Sequence, residues 1–249
     1  MVTAVTNDTG TRRAAVIGAG GGIGAALLAR LANDPRYGRI HAFARTGAVA
    51  THPKVVTGTL DLTDETSIAA AARAAGADGP LDLVVVATGL LHDGPDMQPE
   101  KDWRALDADR LARAFAVNAT GPALVAKHFL PLLPRKGRSV FAALSARVGS
   151  ISDNRRGGWY AYRASKAALN MLLKTRSIEL ARKRPDAIVL GLQPGTVDTA
   201  LSKPFQTYVA DGKLFTPDFS AGKLLEVIDA AGPEDTGGLF DWSGERIPY

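Results

Sequence analysis

Short runs rich in apolar residues alternate with longer amphipathic stretches along this chain of 249 residues. A parallel strand that lies between two layers of helices is buried on both faces, so it reads as a continuous apolar run. Helices that cover such a sheet repeat their apolar residues at spacings of three and four. The pattern predicts an α/β fold with about seven strands, at residues 14–17, 39–44, 55–60, 83–87, 139–144, 187–192 and 238–242.

The amphipathic stretches predict the helices that flank this sheet. They cover residues 23–32, 63–75, 109–129, 159–184 and 224–230. A kink is expected at Gly121 and Pro122, because proline removes a backbone donor from a helix. Residues 90–105 and 200–218 show no periodicity and are predicted loops, and the predicted loop 147–158 is expected to be mobile.

Composition narrows the class of protein. With 46% hydrophobic and 22% charged residues, the chain is predicted to form one soluble domain at residues 14–249 after a polar extension at residues 1–13. No apolar run reaches the roughly 18 residues of a membrane span, and the extension lacks the apolar core of a secretory signal. A cytoplasmic protein without a membrane partner is therefore expected.

The distribution of charge argues against nucleic-acid binding, and the distribution of potential ligand residues argues against a metal site. The net charge is +5, but the basic residues occur in short clusters at predicted loops and helix ends, where solvation and the helix dipole account for them. No nucleic-acid partner is expected. The chain has no cysteine, and its four histidines are scattered without ligand spacing, so no metal site is expected.

A glycine-rich turn occupies residues 18–24, between the first predicted strand and the first predicted helix. Glycine accepts positive φ and lets the backbone approach a pyrophosphate, which the N–H groups of a helix N-terminus then bind. A merely structural turn is the alternative. Because it joins a strand to a helix at the start of an α/β pattern, the turn predicts a dinucleotide site in a Rossmann-type doubly wound sheet.

Two side chains in the helix predicted at 159–184 suggest acid–base chemistry. Tyr162 and Lys166 are four residues apart and share one helical face, although a chance pair is the alternative. A nearby ammonium lowers a tyrosine pKa and makes the phenol usable near neutral pH. Tyr160 lacks such a lysine, since Ala164 lies four residues beyond it. Ser145 follows the strand 139–144, at the sheet edge where ligands bind.

These features together resemble the classical short-chain dehydrogenase/reductase family over nearly the whole chain. The resemblance is carried by the glycine turn, the serine, the Tyr-x-x-x-Lys pair and the chain length. The C-terminal sequence Phe-Asp-Trp-Ser-Gly-Glu-Arg-Ile-Pro-Tyr is similar to that of the C-factor and Sniffer-type carbonyl reductase branch. Two departures are Ile17, where the family usually has threonine, and the missing asparagine in Ala-Thr-Gly at 87–89.

The resemblance implies an NAD(P)-dependent oxidoreductase that transfers a hydride between a nicotinamide and a small carbonyl or alcohol substrate. Ser145 would bind the carbonyl oxygen and Tyr162 would transfer the proton. Lys166 would lower the Tyr162 pKa and hold the nicotinamide ribose. Asn118 would hold a water that links the lysine to solvent, and a purely local hydrogen bond is the alternative for this asparagine.

The resemblance also implies a set of cofactor contacts. Asp61 would accept from the adenine amino group beside the Leu62 backbone, unless it only supports its turn. The Val197 backbone would bind the carboxamide, and Thr199 would reach the same group or the pyrophosphate. The predicted cofactor residues are Gly18, Gly20, Gly22, Ile23, Gly24, Arg45, Asp61, Leu62, Ala87, Gly89, Tyr162, Lys166, Pro194, Gly195, Val197 and Thr199.

NADP(H) is the expected cofactor, with NAD(H) as the alternative. NAD-dependent enzymes place an acidic residue at the end of the second strand, where it binds the ribose hydroxyls. This chain has Ala-Arg-Thr at 44–46. The guanidinium of Arg45 matches a 2′-phosphate, although a solvated charge at a strand end is the alternative.

Other functions share part of this pattern. A non-catalytic or signalling nucleotide-binding protein needs the glycine turn but not the serine, tyrosine and lysine together. A nucleotide-sugar epimerase has the glycines and Tyr-x-x-x-Lys but usually a larger C-terminal substrate region. The family also implies a homodimer or homotetramer built on the two long helices, for which the apolar candidates, if they are not core, are Leu124, Phe129, Leu169, Leu172 and Leu173.

Overall fold

A seven-stranded parallel sheet runs through the middle of the computed structural model, which describes residues 11–46 and 49–249. The strands, together with those of a second small sheet, are β1 (Arg12–Ile17), β2 (Tyr37–Ala44), β3 (Val55–Thr59), β4 (Leu83–Val86), β5 (Ser139–Leu144), β6 (Ala187–Gln193), β7 (Thr196–Val197), β8 (Leu214–Phe215) and β9 (Gly238–Asp241). The order in the large sheet is β3-β2-β1-β4-β5-β6-β9, and β7 pairs with β8. Every pairing in the large sheet is parallel, as the apolar runs predict.

Helices cover both faces of the large sheet. They are α1 (Gly22–Asn33), α2 (Glu65–Gly76), α3 (Ala108–Phe115), α4 (Gly121–Phe129), α5 (Tyr160–Ala181) and α6 (Pro217–Ala230). One core cluster joins α1 and α6 to the sheet, and a second joins α2, α4 and α5 to its other face. The predicted doubly wound α/β architecture is confirmed.

The strand order places the ligand crevice. From β1 the sheet grows towards β2 and β3 on one side and towards β4, β5 and β6 on the other. In open α/β sheets the chain diverges at such a reversal, and the crevice opens at the carboxyl ends of the strands beside it. The ends of β1, β4 and β5 therefore define the region in which a site is expected.

Several element boundaries differ from the sequence predictions. β1 begins at Arg12, so the domain starts before residue 14, and residues 1–10 of the predicted extension lie outside the described residues. α6 begins at Pro217 rather than at residue 224, because proline suits the first helical turn and the Thr216 side chain accepts from Phe219 N. The predicted loop 200–218 also contains a 3₁₀ segment, Lys203–Tyr208, and the strand β8.

The helix predicted at 109–129 is interrupted by a π-helical turn. This turn spans Ala116–Thr120 and separates α3 from α4. Pro122 follows the end of this turn by two residues and has no N–H to donate to it, which favours a local change of the hydrogen-bond pattern. The interruption therefore begins before the predicted position at Gly121 and Pro122.

Two findings concern other classes of site. In the described part of the chain, no helix combines the length and the apolar character needed to cross a membrane. The same residues contain no group of three or more His, Asp or Glu side chains placed to hold a metal ion.

Candidate active site

The site lies where β4 and β5 end against the face of α5. Ser145 follows β5 directly, and its backbone N–H donates to Leu192 O at 2.7 Å, which continues the pairing of β5 with β6. The Ser145 side chain is buried. The backbone pairing therefore fixes the position of Ser145 at the carboxyl end of β5, where doubly wound folds bind their ligands.

Lys166 lies within the protein at the same edge. Its side chain is only 2% exposed, and Nζ donates to Leu144 O at 2.7 Å. The ammonium is 5.9 Å from the centroid of the Tyr162 ring, so the predicted pair does share one face of α5. A Cβ added at Gly89 would lie 3.7 Å from Lys166 Nζ and 3.8 Å from Asn118 Oδ1, which places the predicted turn after β4 at the same site.

Burial dominates the protonation of this pair. It raises the pKa of Tyr162 to about 12 and lowers the pKa of Lys166 to about 7. Both shifts have one cause, since removal from water disfavours the phenolate and the ammonium alike. The Tyr162 pKa therefore moves opposite to the predicted direction, and Lys166 donates to a backbone oxygen rather than to the phenol.

Asn118 connects three parts of the site. Its Oδ1 accepts from Leu90 N at 2.7 Å, and its Nδ2 donates to Leu90 O at 2.7 Å and to Ser165 Oγ at 3.1 Å. The partners belong to the loop after β4 and to α5, so the alternative of a purely local hydrogen bond is wrong. The π-helical turn, the β4 loop and α5 are held together by this one amide.

Asn170 is a site residue that the sequence reasoning missed. Ser145 Oγ donates to Asn170 Oδ1 at 2.6 Å, and Asn170 Nδ2 donates to Gly149 O at 3.3 Å. Asn170 follows Lys166 by four residues, as Lys166 follows Tyr162, so all three lie on one face of α5. This spacing of four residues is the sequence feature from which Asn170 could have been predicted. To bind a substrate oxygen, Ser145 has to exchange its bond to Asn170 for one to the substrate.

The glycine turn has the geometry of a phosphate cradle. Gly18 has a φ of +87°, which favours glycine, and its N–H donates to Phe43 O at 2.8 Å. A Cβ at Gly24 would lie 2.1 Å from Gly18 O, so only glycine allows this close approach. Among the described residues, no side chain caps the N-terminus of α1, so the backbone N–H groups of Gly22 and Ile23 in its first turn are donors suited to an anion.

The segment after β6 closes the other side of this cradle. A Cβ added at Gly22 would lie 2.6 Å from the Thr199 methyl group, so this threonine touches the start of α1. Gly195 turns the chain with a φ of +79°, and Pro194 O accepts from Ser220 Oγ at 2.8 Å. Val197 is buried in β7. The predicted residues from the two halves of the chain are thus brought together.

The residues predicted for the adenosine end lie after β2 and β3. β2 ends at Ala44, and Arg45 is exposed directly after it. Asp61 Oδ1 accepts from Thr63 N at 2.8 Å and Thr63 Oγ1 at 2.7 Å, so this carboxylate does support its own turn. These bonds, helped by the charge of Arg45, lower the pKa of Asp61. Leu62, the next residue, is buried.

A buried hydroxyl without a partner supports a ligand at this cradle. Thr88 Oγ1 is buried and forms no hydrogen bond among the described residues. A Cβ at Gly18 would lie 2.7 Å from the Thr88 methyl group and 2.8 Å from Ala87 O, so the hydroxyl adjoins the glycine turn. Buried polar groups normally have partners. Gly20 is exposed at the same turn, and together these groups fit a nicotinamide dinucleotide.

The family model for short chain dehydrogenases matches residues 12–209. The chain belongs to the short-chain dehydrogenase/reductase family. The family prediction made from the glycine turn, the serine and the Tyr-x-x-x-Lys pair is confirmed, and the protein is an oxidoreductase of this family.

Similar proteins of this family support the predicted branch. C-signal of Myxococcus xanthus is 37% identical over 175 residues, which cover 69% of this chain and 94% of that protein. The NADPH-bound carbonyl reductase from chicken fatty liver superposes with a TM-score of 0.83 at 25% identity, covering 96% of this chain and 94% of that one. The carbonyl reductase Sniffer of Drosophila melanogaster shares the fold, with a TM-score of 0.81, 22% identity and coverage of 96% and 99%.

This short-chain dehydrogenase/reductase also has an aromatic wall beside the tyrosine. We use that name for His92, Trp159, Phe205 and the Tyr162 ring. Trp159 has a φ of +52° and is the one non-glycine residue with positive φ in the described ranges. A left-handed conformation costs roughly 1–2 kcal/mol for such a residue, and strain of this kind is concentrated at functional sites. Periodicity in the sequence does not reveal this backbone angle, so Trp159 could not be predicted as a site residue from it.

Proposed function

We propose that the protein is an NADP(H)-preferring carbonyl reductase that acts on small aldehydes or ketones. The observation that supports this most directly is the convergence of Ser145, Tyr162 and Lys166 at the edge of the sheet, beside a glycine cradle suited to a dinucleotide. The similarity to an NADPH-bound carbonyl reductase agrees with it.

The roles proposed for the site residues are those that the family resemblance implies, and the geometry supports them. Bound reduced nicotinamide supplies the hydride, which the protein itself does not contain. Ser145 holds the substrate carbonyl oxygen after it releases Asn170. Tyr162, with a pKa of about 12, is fully protonated at neutral pH and donates its proton to the alkoxide as it forms. A neutral phenol suits reduction, since the acid is ready before the substrate arrives.

Lys166 and Asn118 support the tyrosine. Lys166 has a pKa of about 7 in the protein without cofactor, so its amine can gain or lose a proton near neutral pH. Asn118 fixes the loop after β4 against α5, which keeps the Lys166 environment closed. In this proposal Lys166 would hold the nicotinamide ribose and return a proton towards Tyr162.

A substrate screen tests the reaction class. Aldehydes, ketones and quinones are offered with NADPH while the loss of reduced-cofactor absorbance is followed. Turnover of at least one carbonyl compound is expected, and it should disappear in Ser145→Ala. NADPH binding measured by titration, with no turnover across the whole panel, would instead favour the non-catalytic nucleotide-binding alternative.

The second candidate functions are less well supported. A non-catalytic or signalling protein would bind the nucleotide without any need for Ser145 beside Tyr162 and Lys166. A nucleotide-sugar epimerase would share the glycine turn and the Tyr162 and Lys166 pair, but the similarity to a carbonyl reductase favours carbonyl reduction.

Removal of Arg45 should abolish cofactor discrimination. A charge-assisted hydrogen bond to the 2′-phosphate contributes about 1.5–3 kcal/mol, so wild type should prefer NADPH over NADH roughly 10- to 150-fold in kcat/KM. Arg45→Ala should bring the two cofactors close to equality, mainly by raising the KM for NADPH. Steady-state kinetics with each cofactor measures this.

The matched control is Arg73→Ala, which removes an exposed arginine on α2. It should leave the cofactor preference unchanged. Equal use of both cofactors by wild type, or a preference that persists in Arg45→Ala, would show that Arg45 is only a solvated strand-end charge.

The exposed face of α5 should form a homodimer contact. Three of the five candidates from the sequence, Phe129, Leu169 and Leu173, lie in the core and are unsuitable. The candidate Leu172 is exposed (40%), and α5 exposes two further apolar side chains, Met171 (66%) and Ile178 (51%). Wild type should scatter light as two or four chains, whereas Met171→Glu/Ile178→Glu should scatter as one, because burying carboxylates in an apolar contact costs several kcal/mol.

Leu106→Glu is the control for this substitution. Leu106 is 43% exposed and precedes α3, so the same change of chemistry occurs at another surface. It should leave the mass unchanged. A wild-type protein that is a single chain at micromolar concentration, or a double variant that keeps the wild-type mass, contradicts the proposed contact.

A further inference from the structure

We infer that the aromatic wall selects substrates whose carbonyl group is attached to a planar aromatic ring, with Trp159 as the specificity-determining residue. The inference rests on the proposed carbonyl reductase function and adds the substrate class. It is carried by the position of Trp159 beside Tyr162, by the anchored backbone of Trp159 and by the aromatic partners that face it.

The backbone around Trp159 is held in an unusual conformation. Gly157, Gly158 and Trp159 have successive φ values of +62°, +64° and +52°. Glycine accepts such angles without strain, but tryptophan does not. The contacts around Trp159 therefore impose a backbone conformation that tryptophan disfavours. Such strain is concentrated at functional sites, so the contacts of the ring are relevant to function.

Two residues, Arg163 and Glu100, anchor this turn by hydrogen bonds. Arg163 Nε donates to Gly157 O at 3.2 Å and to Gly158 O at 3.0 Å. Trp159 N donates to Glu100 O at 2.5 Å, and the buried Glu100 carboxylate accepts from Ala161 N at 3.2 Å. The start of α5, the predicted mobile loop and the segment before α3 are thereby joined. The part of that loop next to α5 is anchored in this structure.

The Trp159 ring lies between the catalytic tyrosine and the segment after β6. Its centroid is 6.3 Å from that of Tyr162 at an interplanar angle of 69°, and 5.2 Å from that of Phe205 at 58°. The centroid of the His92 ring is 5.7 Å from that of Phe205, at an interplanar angle of 67°. Each pair has the separation and tilt at which aromatic rings attract one another.

The wall remains accessible to a small molecule. Tyr162, Trp159, Phe205 and His92 are each only partly buried. His92 Nε2 is 3.2 Å from Ala200 O, so the polar edge of that ring is directed at the backbone. A carbonyl compound whose oxygen meets Tyr162 carries its substituent next to Trp159, where a flat ring can take up the contacts that Phe205 now makes.

The chemistry of the wall favours an aromatic substituent over an aliphatic one of equal size. Apolar burial alone serves both kinds of substituent similarly. Edge-to-face and offset contacts with Trp159 and Phe205 are available only to a π system, and two such contacts correspond to roughly tenfold in kcat/KM. The segment Lys203–Tyr208, which carries Phe205, must shift its ring to admit the substrate.

The test compares benzaldehyde with cyclohexanecarbaldehyde, which have the same carbon skeleton but differ in planarity. Wild type is expected to prefer benzaldehyde roughly tenfold in kcat/KM. Trp159→Gly removes the ring while allowing the positive φ, so its backbone should persist, and the preference should fall to about threefold or less. Trp159→Phe should retain most of the preference, and Phe205→Ala should lose part of it.

Trp103→Ala is the control, since Trp103 is 67% exposed on the segment before α3 and packs under the Arg104 guanidinium. It should keep the wild-type preference. Equal use of both aldehydes by wild type, or equal losses for both in Trp159→Gly, would overturn the inference while leaving carbonyl reduction intact. Loss of both activities in a folded Trp159→Gly that still binds NADPH would assign Trp159 to positioning Tyr162 and would also overturn it.

Discussion

Tyr162→Phe should lower kcat by about 10²- to 10⁴-fold with little change in NADPH affinity, because the substitution removes one hydroxyl that donates the proton. The ring and its contacts with Trp159 and Lys166 are kept, so the cavity around the pair should not collapse. Single-turnover kinetics and cofactor titration on the same preparation separate the lost chemistry from any lost binding.

Tyr160→Phe is the matched control within the same helical turn. Tyr160 also opens α5, but the residue four positions beyond it is Ala164 rather than lysine. Its hydroxyl should therefore be dispensable, with activity close to that of wild type. A Tyr162→Phe enzyme within tenfold of wild type would mean that another group supplies the proton.

The free energy of unfolding of the cofactor-free protein should rise between pH 7.5 and pH 9.5 because of Lys166. Burial lowers the pKa of Lys166 from 10.5 to about 7, so in this range the unfolded chain binds one more proton than the folded chain. Stability rises with pH whenever the unfolded state binds more protons. The slope approaches about 1.4 kcal/mol per pH unit, which corresponds to a gain of roughly 2–3 kcal/mol over the two units.

Tyr162 does not cancel this effect in the chosen range. Its pKa is raised from 10.0 to about 12, so its contribution is present below pH 10 and is lost only as the pH rises from there towards 12. Urea unfolding at fixed protein concentration and at pH 7.5, 8.5 and 9.5 measures the slope. Lys166→Met should lose the rise, and Lys174→Met, which removes an exposed lysine from α5, should keep it. Identical slopes in wild type and Lys166→Met would mean that Lys166 is not desolvated as described.

Much of this architecture follows from local patterns in the sequence. Continuous apolar runs such as β4 identify strands covered on both faces, because such a segment has no polar side to expose. The glycines of the first turn could be assigned because backbone approach and positive φ leave few other residues possible, as Gly18 and Gly24 show. The Tyr162 and Lys166 pair needed only the helical repeat.

Other features depend on contacts between distant segments. Trp159 takes a left-handed conformation because Glu100 holds it from a segment 59 residues earlier in the chain. The Tyr162 pKa was predicted from its neighbour along the helix, whereas burial by the folded chain decides its direction. The same spacing of four residues places Asn170 on the face of Tyr162 and Lys166. Its hydrogen bond with Ser145, however, depends on β5, which brings the serine beside it.

The π-helical turn at Ala116–Thr120 changes the direction in which the side chains of α4 point relative to those of α3. Each residue of an α-helix turns the chain by about 100°, so one extra residue in a turn rotates everything that follows by that amount. Upstream of Pro122 the run directs Asn118 into the site, while downstream it directs Val125 and Phe129 into the core. Deleting Ala119 would restore an uninterrupted α-helix only by turning one of these two faces away from its partners. The extra residue rotates the helical face that follows it. Asn118 can therefore face the site while Val125 and Phe129, on the same run of helix, face the core.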